Sequence, residues 1–325
     1  MIVLVFTGGT ISMRHDPAAG GAVPTLTGRE IIALAPGIDR LAQLEVDDWG
    51  AFPGPHMTPD RMWALRGRIL EHLARPEVDG IVVTHGTDSL EETAYLVARS
   101  VASDKPIVFT GAMRTSSDLG WDGPGNLGAA IRVAASDEAR GHGVLVVMSD
   151  RVFTALDVTK AHTYLVDAFE SPGLGPVAVL DDGRVVFRRS MPVPPPILNA
   201  TGLAQPVDIV YSFAGSDSRL LDASRDQGKG RAIVIAGMGR GNVPVAMLDG
   251  IDRWVAEGKP VVITSRVGRG RVGHTYGYAG GGRRLSERGA IFAGSRRPQQ
   301  ARLDVMLGLG AGLDVGRLRE LLEGS

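Results

Sequence analysis

The sequence predicts an α/β fold: a larger N-terminal domain built on a parallel sheet with helices on both faces, then a smaller C-terminal α/β domain. Three observations lead there. Short strand-like runs at 2–6, 44–49, 81–83, 107–109 and 144–148 alternate with helical patterns, the order that builds parallel sheets. The run Ile81-Val82-Val83 is continuously apolar and β-branched, as a strand buried on both faces must be. Pro192, Pro194, Pro195 and Pro196 then crowd a stretch that can be neither helix nor central strand, and a second alternation begins beyond it. The expected division is a catalytic α/β domain at 1–190, a proline-rich linker at 191–206 and a second α/β domain at 207–325.

Taken in order, the first strand runs into the turn Thr7-Gly8-Gly9-Thr10. A polar stretch with glycine and proline, Ser12 to Thr27, reads as a mobile lid. Thr27 caps a short helix at 28–35, with Glu30 in the capping-box position. After the strand at 44–49, Thr58 and Pro59 are the N-cap and first residue of a helix reaching residue 74. The strand at 81–83 leads into Thr84-His85-Gly86-Thr87-Asp88, and Ser89-Leu90-Glu91-Glu92 opens a helix at 90–101 whose first-turn acids suit its dipole. The strand at 107–109 ends in Thr110-Gly111-Ala112-Met113-Arg114; a polar loop at 115–125 precedes a helix at 126–135; the strand at 144–148 ends in Ser149-Asp150. Parallel strands place their C-terminal ends on one edge. Four polar turns are therefore expected on one rim, where open sheets bind ligands. Further on, strands are expected at 207–210, 232–235 and 261–264, and helices at 243–256, 299–309 and 315–322. No repeat of fixed period is visible.

A chain of 325 residues, 44% hydrophobic and 22% charged, can bury two sizeable cores. Its net charge of -1 gives no global attraction to nucleic acid or to an anionic membrane. Arginines gather between Arg266 and Arg302, but without the interleaved aromatics of a nucleic-acid face, so neither nucleic acid nor membrane is an expected partner. The absence of cysteine excludes disulfides, a thiolate nucleophile and Cys-ligated zinc. Met1 leads directly into five apolar residues, too few for a signal core or a span, and a cytoplasmic location is expected.

Few residues carry chemistry by themselves. The glycines of Thr7-Gly8-Gly9-Thr10 let a backbone approach a ligand and free N–H groups for an oxyanion. The same segment also reads as a tight strand-to-loop turn, and it matches neither GxGxxG nor GxxxxGK[ST]. Thr87 and Asp88 place a hydroxyl and a carboxylate between strand and helix; read alone, they are a helix cap. His85 reads as a satisfied structural histidine. Lys160, in Asp157-Val158-Thr159-Lys160, is an ordinary solvated charge unless it is taken out of water, when a neutral amine becomes available as a base. A threonine hydroxyl, a weak nucleophile, needs such a partner.

The combination is more specific than its parts. TGGTI at 7–11, THGTDSLEETAY at 84–95, PIVFTGAMR at 106–114, DGPGNL at 122–127, DVTK at 157–160 and RPQQARL at 297–303 follow in that order. Together they resemble the bacterial-type L-asparaginase family over nearly the whole chain. The resemblance implies a flavodoxin-like N-terminal domain and a smaller C-terminal α/β domain. It also implies hydrolysis of the side-chain amide of asparagine to aspartate and ammonia through a threonine nucleophile, often with some glutaminase activity, without metal or other cofactor. A homotetramer of intimate dimers is implied, each site being completed by the partner chain. Carried over by position, Thr10, Thr87, Asp88 and Lys160 are the catalytic residues, and Asp88 also grips the α-amino group. Gly9, Gly86 and Ala112 are expected to line the substrate, with His56 and Tyr276 at positions where this chain departs from the family, and Asn242 matches the residue lent by the neighbouring subunit.

Three places depart from the family pattern. The family usually has a lid tyrosine near Gly21-Ala22, yet no aromatic residue lies between Phe6 and Trp49. Where the family places a serine that holds the α-carboxylate, this chain has Gly54-Pro55-His56-Met57, without that hydroxyl and, at Pro55, without an N–H. The acid offered by the C-terminal domain falls near Tyr276-Gly277, where Tyr276 or Tyr278 stands instead. Amide hydrolysis is thus expected to persist while recognition of a free α-amino acid changes, with His56 or Thr58 replacing lost contacts or simply starting a helix. Two further readings stay open: an amidase of this fold with another small amide, and a ligand-binding member whose chemistry has lapsed.

Overall fold

The computed structural model describes residues 1–197 and 199–324. The chain divides between Pro196 and Ile197 into two compact units. The first runs β1 (Ile2–Gly8), a hairpin of β2 (Met13–Asp16) and β3 (Gly21–Pro24), α1 (Gly28–Ala33), β4 (Leu44–Phe52), α2 (Pro59–Leu73), β5 (Gly80–Thr84), α3 (Leu90–Ser100), β6 (Ile107–Thr110), α4 (Gly123–Ala134) and β7 (Val144–Met148). It continues through β8 (Arg151–Thr154), β9 (Thr159–Lys160), β10 (Phe169–Glu170), β11 (Ala178–Asp181) and β12 (Arg184–Phe187). Eight of these strands form one sheet in the order β12-β11-β8-β7-β6-β5-β1-β4. Within it β4, β1, β5, β6 and β7 are mutually parallel, with Val3 opposite Ile81 and Val82 opposite Val108.

The β-branched, continuously apolar strands are explained by helices on both faces. Leu4, Val82, Val108 and Leu145 pack with Ile31 of α1 and with Leu127 and Ile131 of α4. Val5, Ile81, Val83, Phe109 and Val146 pack with Leu65 and Ile69 of α2 and with Leu90, Ala94 and Val97 of α3. Each aliphatic side chain so buried contributes about 1.5–3 kcal/mol relative to exposure. Helix starts follow local chemistry. Thr27 and Glu30 form a reciprocal capping box, and the Thr58 hydroxyl accepts the Arg61 N–H with Pro59 in the first turn.

The structure adds to two expectations. The stretch from Ser12 to Thr27 carries the β2–β3 hairpin. The N–H and Oγ of Ser116 both donate to Met13 O at 3.0 and 2.9 Å, and His15 N–H donates to Ser117 Oγ at 3.0 Å. The sheet also extends past β7 by three antiparallel strands, β8, β11 and β12, that the β-α-β reading did not contain. Ser149 and Asp150, both with positive φ, close the tight β7–β8 turn, and Asp182-Gly183 closes β11–β12.

The second unit runs β13 (Val207–Tyr211), α5 (Arg219–Asp226), β14 (Ala232–Gly237), α6 (Leu248–Ala256), β15 (Val261–Ser265), α7 (Gly282–Glu287), β16 (Ile291–Phe292), α8 (Pro298–Gly310) and α9 (Val315–Glu323). Its four strands are parallel and adjacent in sequence order. The core holds Ile233, Ile235, Ile263 and the fully buried Trp254, whose Nε1–H donates to Leu221 O at 3.0 Å. The helix expected from residue 243 begins at Leu248, because Pro244 first sets up a 3-10 turn, Val245–Met247. Asp304 is fully buried and paired with Arg296 at 2.7 Å, so its charge is compensated. Among the described residues, no helix is long and apolar enough to cross a membrane.

Candidate active site

The parallel strands deliver their turns to one rim, and glycine lets those turns touch. Gly9, with φ +80°, lies so close to the β5 turn that a Cβ on it would stand 2.5 Å from Gly86 Cα. A Cβ on Gly86 would stand 2.5 Å from Gly54 Cα, and one on Gly111 would stand 2.6 Å from His85 O and 3.2 Å from Thr87 Cγ2. Backbone thus packs on backbone at the ends of β1, β4, β5 and β6. Two hydrogen bonds tie the stack: Gly9 N–H to Phe52 O at 2.9 Å, and Ser89 Oγ–H to Gly54 O at 2.6 Å.

On this platform Lys160 Nζ donates to Thr87 Oγ1 at 2.9 Å and to Asp88 Oδ1 at 2.6 Å. Thr87 is buried and the Lys160 side chain is only 17% exposed, whereas the Asp88 side chain is 58% exposed. A buried hydroxyl is therefore joined through an amine to a carboxylate that opens to solvent. A cavity of about 330 Å³ adjoins them, lined by Asp88, Glu91, Lys160, Ala161, His162 and Thr163. The N–H groups of Thr87 and Asp88 donate to no carbonyl among the described residues.

His85 is only half satisfied. Its Nδ1–H donates to Gly86 O at 2.9 Å, while the buried Nε2 has no partner among the described residues. Full burial pushes its pKa down to about 4, against the Gly86 hydrogen bond. The unfolded chain takes up this proton below about pH 6.5 and the folded chain does not until about pH 4, so stability falls as pH falls through that window. Roughly 3 kcal/mol of stability is expected to be lost there through this residue alone. Urea unfolding between pH 7 and 4 should show that slope in the wild type and lose it in His85→Gln; equal slopes would mean the imidazole is not held neutral.

Sequence reasoning missed the scaffold that holds the rim. Asp122 accepts the N–H groups of Met113 (3.1 and 3.0 Å, to its two oxygens) and Arg114 (2.9 Å). Asn126 donates to Gly111 O and to Asp122 Oδ2, both at 3.0 Å, and accepts Ser149 N–H at 2.9 Å. One amide thus clamps the turns after β6 and β7. Both residues lie in DGPGNL, a segment noticed only as part of the resemblance. Glu91, read only as a first-turn acid, accepts the Lys160 backbone N–H at 2.6 Å.

The remaining expected residues are distributed as follows. Thr10 starts a 3-10 turn directly after Gly9, and its hydroxyl has no hydrogen-bond partner among the described residues. Ala112 is fully buried at the end of β6. His56 lies exposed in the 3-10 turn Gly54–His56, and Thr58 caps α2. Asn242 and Tyr276 belong to the second unit. Asn242 closes a tight turn with Met238, leaving a buried Oδ1 without a partner among the described residues. The Tyr276 ring is exposed and lies 5.5 Å from that of Tyr278.

Residues 1–193 match the family model for the N-terminal domain of asparaginase, and residues 206–322 match that for the glutaminase/asparaginase C-terminal domain. A probable L-asparaginase of Deinococcus radiodurans is 38% identical over 317 residues, 95% of this chain and 94% of its own. L-asparaginase 2 of Escherichia coli is 30% identical over 332 residues, 98% of this chain and 92% of its own. Among solved structures, a probable cytoplasmic L-asparaginase from Campylobacter jejuni superposes with a TM-score of 0.88 at 31% identity, covering 99% of this chain and 98% of that one.

Proposed function

The chain belongs to the asparaginase family, and from that premise we propose how its rim performs the reaction. The enzyme is an amidohydrolase that converts L-asparagine to L-aspartate and ammonia. The observation that supports a threonine mechanism is the contact of Lys160 Nζ with both Thr87 Oγ1 and Asp88 Oδ1, on glycine turns that abut Gly9. A threonine oxygen attacks the side-chain amide carbon, and its proton passes to the lysine amine. The N–H groups of Thr87 and Asp88 receive the oxyanion; the lysine passes the proton on to the amide nitrogen, ammonia leaves, and water, its proton passing through the same amine to the threonine oxygen, releases aspartate from the acyl-enzyme. Exposed Asp88 is suited to hold the substrate's α-ammonium.

We infer a homotetramer of intimate dimers, with Asn242 lent across the interface, from the likeness to the asparaginase family. A cytoplasmic setting follows the Campylobacter neighbour, a probable cytoplasmic enzyme, although a relative from Haemophilus influenzae, 32% identical, is named a probable periplasmic L-asparaginase. The test is ammonia release from asparagine, glutamine and small ω-amides by the purified chain, with sedimentation for its assembly state. Asparagine should be turned over. No turnover of any amide, or activity unaffected by Thr87→Ala, would end this reading.

A further inference from the structure

We propose that Glu91 is a positioning residue for Lys160: its carboxylate fixes the lysine's backbone so that the amine reaches Thr87. The inference rests on the reading above, in which Lys160 takes the threonine proton. Lys160 is held at two points by one short segment of the chain. Its Nζ bonds to Thr87 and Asp88, and its own N–H donates to Glu91 Oε2 at 2.6 Å. Glu91 lies in the first turn of α3, a rigid element whose Leu90, Ala94 and Val97 are packed into the core. The lysine's own strand is short. β9 has two residues, pairs only with the equally short β10, and lies outside the eight-stranded sheet. A two-residue ribbon does not fix a backbone by itself. A carboxylate accepting an N–H is a charge-assisted bond, stronger than a neutral one. Glu91 is 9% exposed, so water competes little for its place. α3 thereby carries both the acceptor that sets the height of the Lys160 backbone and, just ahead of its first turn, the hydroxyl and carboxylate that receive the amine.

The same carboxylate also lines the cavity beside Asp88 and Lys160, so the test must separate an effect through the lysine from direct contact with substrate. Steady-state ammonia release from asparagine would be measured for wild type, Glu91→Ala, Glu91→Gln, Lys160→Met and the double variant Glu91→Ala/Lys160→Met. Glu91→Ala is expected to lower kcat by roughly ten- to a hundredfold, the scale of a misplaced catalytic group, with KM within about threefold. Glu91→Gln keeps an oxygen acceptor of the same reach and should stay within roughly threefold of wild-type kcat. In the Lys160→Met background, Glu91→Ala should cause no further loss, because residues acting through one another are not additive. The proposal is overturned if Glu91→Ala keeps wild-type kcat while Lys160→Met does not, if it raises KM rather than lowering kcat, or if it causes the same loss in both backgrounds. Should Glu91→Ala fail to fold, loss of kcat in folded Glu91→Gln overturns the proposal. Wild-type activity in Lys160→Met would remove the lysine mechanism itself, and Glu91's part with it.

Discussion

Thr87→Ala and Lys160→Met are each expected to lower kcat/KM for ammonia release from asparagine by about a thousandfold or more, within the range for loss of a nucleophile or its base. Thr87→Ala removes the buried oxygen that Lys160 contacts at 2.9 Å and leaves the glycine platform unchanged. Lys160→Met keeps the length of the side chain and removes the amine. Two conservative variants say what the amine does. Thr87→Ser keeps a hydroxyl and should stay within about tenfold of wild type. Lys160→Arg keeps the positive charge beside Asp88 but cannot give up its proton near neutrality, so it should be as impaired as Lys160→Met. Rescue by arginine would show that the lysine acts as a fixed charge, and the proton would need another acceptor. Combining Thr10→Ala with Thr87→Ala asks whether the two hydroxyls serve one step. If they do, the double variant should be hardly worse than the more severe single one.

What was legible in the sequence follows from how local each signal is. Four of the five parallel strands, β1, β5, β6 and β7, were visible because burial on two faces demands runs such as Ile81-Val82-Val83, whatever surrounds them. The starts of α1 and α2 were visible because Thr27, Glu30, Thr58 and Pro59 act within a single turn. The antiparallel extension was less visible. Ser149-Asp150 adopts positive φ at both positions without a glycine, so that hairpin left little trace, although Asp182-Gly183 was a readable turn signal. At the site, Thr87, Asp88 and Lys160 were recognisable by motif, but their union depends on a pairing of residues 72 and 73 positions apart. Glu91 and Asn126 were harder still. Their work is to hold a backbone N–H or carbonyl of a distant turn, which sets no residue type at the receiving end. Gly54 shows how a departure in sequence finds a setting in the structure. A Cβ there would stand 3.2 Å from Asp88 Cβ and 3.3 Å from Asp88 N, so the missing side chain lies at the root of the Thr87-Asp88 turn.

Close packing of this kind makes Gly86→Ala a severe single-atom test of the rim. The substitution adds one carbon, 2.5 Å from Gly54 Cα and 2.6 Å from Gly54 N, closer than real Cβ atoms come. The obstructing atoms are main chain, so no rotamer change relieves the clash, and the turn after β4 must separate from the turn after β5. Gly54 O is also bonded to Ser89 Oγ at the start of α3, so the displacement would be passed to the helix that carries Glu91. The expected cost is about 1–3 kcal/mol of stability, typical of forcing an extra methyl into a packed interior. The expected loss in kcat/KM is about a hundredfold, since a shift of about 1 Å at a catalytic turn has that effect. Gly67→Ala is the matched control. A Cβ at this position inside α2 meets nothing within 4 Å, so alanine should stabilise the helix by about 0.5–1 kcal/mol and leave activity alone. Urea unfolding and ammonia release measured on both variants separate the outcomes. Full activity in Gly86→Ala would mean that the turns after β4 and β5 need not touch for the reaction to proceed, and the site would have to be assembled by other contacts.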